Sequence, residues 1–129
     1  MWQRIGVAVW ALFLGAMTGM IMTFGHQAHL VIGQIDVPWG IVVACLGTLA
    51  ALIAARLLTE GRSFTLWLAI GIIATVAVLS LPGPNGTVLI PNGIIGLIWV
   101  FAPTALAVLV VLWPTRPIDR IAAVERTNS

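Results

Sequence analysis

The chain has 129 residues, of which 60% are hydrophobic and only 8% charged, with six basic residues against four acidic ones. So few charges could not clothe a water-soluble domain of this size, which excludes an ordinary soluble globule and points to an exterior that meets lipid. A net charge of +2, with neither a basic stripe nor an array of stacking aromatics, argues against a nucleic-acid partner.

Four apolar segments follow one another, at about residues 5–24, 39–58, 64–81 and 94–113. At 1.5 Å per residue, spans of this length cross about 27–30 Å as helices, close to the hydrocarbon thickness of a bilayer. The expected fold is therefore an all-α membrane protein of one four-helix domain, with a polar tail over 114–129. The first segment opens with Arg4 and resembles a signal peptide only in outline. It is longer than the usual apolar core of such a peptide, and Gly25-His26-Gln27-Ala28 makes a poor cleavage site, so a retained helix is expected.

Within the first span Gly15 and Gly19 form a GxxxG pair, extended by Ala11. Small residues let helix backbones approach closely, which in lipid replaces the missing hydrophobic drive. Gly47, Ala51 and Ala55 make a second small stripe on the second span, so packing of the first span on the second is expected, with a homo-oligomer or partner interface as the alternative. Met20 and Met22, followed by His26 and His29, are candidate copper ligands, because thioether and imidazole donors suit that metal. Gap-filling methionines and interfacial histidines explain the same residues without a metal, and no metal or other cofactor is expected.

Between the first two spans, Asp36 precedes Pro38-Trp39-Gly40, a proline-started helix. Asp36 is expected to cap that helix, and a pair with His26 or His29 is the alternative. The single cysteine, Cys45, excludes an internal disulfide. Thr59-Glu60-Gly61-Arg62-Ser63 is a tight polar turn that makes the second and third spans antiparallel neighbours. The second long connection ends in Pro91-Asn92-Gly93, another helix start. Pro103 interrupts the fourth span, and Pro114 and Pro117 are expected to stop it. Beyond them, Ile118, Ile121 and Ala122 suit one face of a short interfacial helix, with a frayed tail as the alternative.

All six basic residues are arginines: Arg4, Arg56, Arg62, Arg116, Arg120 and Arg126. Each falls on the same side of the four spans, and the connections 25–38 and 82–93 carry none. That is the positive-inside pattern of a bacterial plasma-membrane protein with both termini in the cytoplasm. Gly33–Ile41 also aligns without gaps on Gly86–Ile94, suggesting two parallel helix–loop–helix repeats at an offset of 53. The β-branched runs before Pro38 and Pro91 suggest a short ribbon pairing the two loops, near residues 35 and 89.

The Val37-Pro38-Trp39-Gly40 helix start, the second Pro91-Asn92-Gly93 start and the Ala/Leu/Val-rich spans resemble an uncharacterised family of small four-span actinobacterial membrane proteins. That resemblance implies a topology and no activity. No acidic or basic residue lies near the middle of a span, where coupled carriers keep one. No nucleophile–base pair or phosphate-cradling loop is present either. The expectation is a non-enzymatic accessory or scaffolding subunit that meets lipids and either another membrane protein or a second copy. A small transporter or channel for a solute or metal ion is the alternative.

Overall fold

The computed structural model describes residues 1–88, 90, 93–114 and 117–129. Its elements, in chain order, are α1 (Trp2–Gly25), β1 (Leu30–Ile32), β2 (Ile35–Val37), α2 (Trp39–Leu58), α3 (Ser63–Ser80), α4 (Ile94–Leu112) and α5 (Pro117–Asn128). The first, second, third and fourth helices are each long and apolar enough to cross a membrane, which marks a multi-pass membrane protein. α1 starts three residues earlier than its apolar run, carrying Arg4 within its first turn.

α1 and α3 make the tightest helix pair. A Cβ on Gly15 would collide with the backbone carbonyl of Leu68 and stand 3.1 Å from the Cα of Gly71. One turn later, a Cβ on Gly19 would lie 3.2 Å from the Cα of Ile72. The contacts advance together along both helices, so α1 and α3 run parallel. The expectation that the Gly15–Gly19 face meets the second span is corrected: it meets the third, because Gly71 offers backbone without a side chain there. The α1–α2 contact is looser, with Met22 lying over Gly47.

α1, α2 and α4 each bury one narrow row. In α1 it is Ala11, Gly15, Gly19 and Thr23; in α2 it is Gly40, Ala44, Thr48, Leu52 and Ala55. Ala51 is half-buried beside that row. α4 buries Gly96, Trp99, Pro103, Ala107 and Val110, and α3, central among the four, buries residues on more than one face. The remaining helix faces are apolar and exposed, as suits contact with lipid. Two cores result. One joins Leu52, Leu68, Ile72 and Val110 toward the end that carries Arg4 and Arg62; the other joins Ala44, Val76, Ile90 and Trp99 toward the opposite end.

At that opposite end sits the β-ribbon. β1 and β2 pair antiparallel, Leu30 with Val37 and Ile32 with Ile35, around the two-residue turn Gly33-Gln34. Gly33 has φ +66°, and no non-glycine residue among those described has a positive φ, which identifies a type II′ turn. The ribbon is thus a hairpin inside the first connection, in which strand 35–37 pairs with residues 30–32. Leu89, Pro91 and Asn92, on which the expected loop pairing and second helix start fall, lie outside the described residues.

The chain re-enters α2 by a close backbone approach. Gly40 donates its N–H to the Ala28 carbonyl at 2.9 Å, and a Cβ there would meet the backbone of Gly25 and Ala28. Pro38 is the N-cap of α2, and no side chain caps it, so Asp36 does not cap this helix as expected. The Asp36 carboxylate pairs with His29, just ahead of β1, instead. At the far end of the chain, Pro117 opens α5 rather than merely ending α4. Proline suits that position, since the first helical N–H has no intrahelical acceptor in any case.

Candidate functional site

The hairpin end gathers the most polar chemistry found among the described residues. It begins with Trp99, which is fully buried and must find an acceptor for its indole N–H. Trp99 Nε1 donates to Thr23 Oγ1 at 3.1 Å, joining α4 to α1. The indole face lies against the imidazole of His26, with centroids 5.5 Å apart and planes 13° from parallel. Three residues from two helices therefore form one interlocked unit.

His26 is the C-cap residue of α1 and is itself fully buried. Its Nδ1 bonds the carbonyl oxygen of Thr23, one turn back. A carbonyl can only accept, so Nδ1 carries the proton and the neutral ring keeps a lone pair on Nε2. That Nε2 is buried and has no hydrogen-bond partner among the described residues. Burial pushes the imidazole pKa below its ordinary 6.5; the bond to Thr23 opposes this, and the charge of His29 adds to it. His26 is thus held as a neutral acceptor.

His29 and Asp36 form a second, more exposed pair, with Nδ1 and Oδ1 3.2 Å apart, linking the residue just before β1 to β2. Beside both histidines is a cavity of about 520 Å³, lined by His26, Gln27, His29 and residues 93–96. Apart from the two imidazoles and Gln27, its described lining is glycine and isoleucine. Gly93 and Gly96, at the start of α4, form one wall. A second cavity, of about 370 Å³, opens toward the Arg4 end between Leu14 and Thr18 of α1, Ala51 and Ala55 of α2, and Phe64 and Leu68 of α3.

The candidate copper ligands do different things here. Met20 is exposed on the side of α1, while Met22 packs over Gly47. His26 stacks on Trp99, and His29 pairs with Asp36. Among the described residues, no group of three or more His, Cys, Asp or Glu could hold a metal ion. Sequence reasoning overlooked Thr23 and Trp99. A tryptophan inside a span, away from both ends, was the available signal, because its N–H requires a buried partner there.

No family model, no curated protein and no solved structure matches this chain. The resemblance to small four-span actinobacterial proteins therefore carries no residue roles onto it.

Proposed function

We propose that this chain acts through its sides: a non-enzymatic accessory or scaffolding subunit of a complex in the bacterial plasma membrane, with both termini cytoplasmic. One observation carries the reading: the centre of the bundle is filled. Leu52, Ile72, Trp99 and Pro103 are all fully buried between the helices. A filled centre leaves the apolar flanks as the working surface. The orientation rests on the arginines, since the parallel course of α1 and α3 brings Arg4, Arg56 and Arg62 to one end of the bundle. The experiment is photo-cross-linking in native membranes from Phe13 and Val42, two exposed positions on α1 and α2. A discrete protein adduct is the expected result. Adducts with lipid alone, together with a monodisperse monomer after extraction, would remove the proposal.

A second reading, a small transporter, is favoured by the two cavities at opposite ends of a closed centre, as a carrier between its open states would have. Parallel repeats would give such a carrier its two halves. Buried rows Gly15, Gly19, Thr23 and Leu68, Ile72, Val76 correspond at an offset of 53. Rows Ala44, Thr48, Leu52, Ala55 and Trp99, Pro103, Ala107, Val110 correspond at 55, which implies two extra residues in the second connection. Flux of small solutes or metal ions into liposomes separates the two readings, and none under any gradient leaves the subunit.

A further inference from the structure

The cavity at the hairpin end is lined by His26, which carries a hydrogen-bond acceptor, and by the start of α4, which carries donors. The acceptor is the buried Nε2 of His26, which has no partner among the described residues. The donors belong to the start of α4, whose first-turn N–H groups cannot bond within the helix. Among the described residues no side chain caps α4, and the N–H groups of Ile94, Ile95 and Gly96 find no backbone acceptor outside the helix. Ile94, Ile95 and Gly96 line the cavity together with His26.

We propose that this cavity binds an amphiphile headed by a neutral hydroxyl, the O–H donating to His26 Nε2 and the oxygen accepting from the first turn of α4.

Each part of the site selects against other ligands. No arginine is among the described lining residues, so a phosphate or carboxylate head would find no counter-charge among them. A cationic ammonium head would find no carboxylate among the described lining residues either, and Asp36 is paired with His29. Among the described residues, no group of three or more His, Cys, Asp or Glu stands ready for a metal. A hydroxyl is the simplest neutral group that both donates and accepts, and so can satisfy the acceptor and the donors together. The isoleucines suit an apolar body, and about 520 Å³ lies within the range of about 300–1,000 Å³ common for small-molecule sites. Two sources carry this chemistry: a free long-chain alcohol, and a membrane lipid whose head is a bare hydroxyl.

The inference stands apart from the subunit and transport readings, and its test uses neither flux nor partner capture. The full chain, in phosphatidylcholine nanodiscs with isotope-labelled histidine nitrogens, is titrated with dodecanol, dodecyl methyl ether or dioleoylglycerol. NMR follows the two imidazoles, assigned with His26→Gln and His29→Gln. Dodecanol or dioleoylglycerol should shift His26 Nε2 saturably, while Nδ1, held by Thr23, moves little. Response to the first assigns a free alcohol, and response to the second alone assigns a lipid. The ether keeps the apolar body and the oxygen but cannot donate, so it should leave Nε2 unmoved. His26→Phe keeps a ring against Trp99 and should weaken calorimetric binding of the responding hydroxyl ligand by about tenfold. Equal shifts from alcohol and ether, or no shift from either hydroxyl ligand, would overturn the proposal. Unchanged affinity in His26→Phe would do the same. Should that variant not fold, the comparison of alcohol with ether on the unaltered chain decides alone.

Discussion

Thr23 serves two partners at once: its hydroxyl accepts from Trp99 and its carbonyl accepts from His26. Thr23→Val keeps the shape and the carbonyl but strands a buried indole N–H. It should cost about 1–3 kcal/mol in detergent unfolding, and clearly less in a Trp99→Phe background where no donor remains. If the two substitutions simply add, the bond contributes nothing. Protonation of His26 tests the same unit. The folded ring, with its pKa below 6.5, binds a proton less readily than the unfolded one. Stability should be full above about 6.5 and fall as pH drops toward the lowered folded value. Melting temperature against pH checks this, and His26→Phe should flatten the acid limb. Little of this unit was legible beforehand. His26 was conspicuous as a residue type, but its partner is 73 positions away on α4, and only packing brings them together.

The helices themselves were legible nearly to the residue, because span length and apolarity are set by the bilayer rather than by contacts. Their pairing was not. Gly15 and Gly19 identify a face, but a GxxxG stripe names no partner, and α3 carries no matching stripe. Gly71 has Trp67 and Thr75 as its neighbours at four residues. The glycines therefore differ in what substitution should do. A Cβ on Gly71 meets the Leu12 carbonyl, backbone that cannot swing aside, so Gly71→Ala should destabilise by about 1–3 kcal/mol. Gly6 in the same pair of helices meets nothing within 4 Å, and Gly6→Ala should be neutral or stabilising by up to about 1 kcal/mol. Unfolding of both variants in one detergent makes each the control for the other; equal effects would contradict the parallel α1–α3 contact. The hairpin was half legible. Its β-branched runs were plain, and Gly33-Gln34 is a two-residue turn signal for the pairing of 30–32 with 35–37 within the first connection.

At the scale of the molecule, arginine placement and helix packing constrain each other. A parallel α1 and α3, each joined by a hairpin connection to an antiparallel neighbour, puts residues 4, 56 and 62 at one end and the β-hairpin at the other. Arginine at the bilayer centre is costly, and retention of arginine-rich segments on the cytoplasmic side sets orientation. The hairpin should then face outward and the chain end inward. In a Cys45→Ala background, Gln34→Cys should react with an impermeant maleimide on intact spheroplasts, and Ser129→Cys only after permeabilisation. Gln34 lies in the hairpin turn and Ser129 is exposed at the end of the chain, so neither readout depends on opening the bundle. The reverse labelling pattern would turn the His26 cavity toward the cytoplasm. The cavity's hydrogen-bonding complement would be unchanged, but its hydroxyl ligand would then have to come from the inner leaflet.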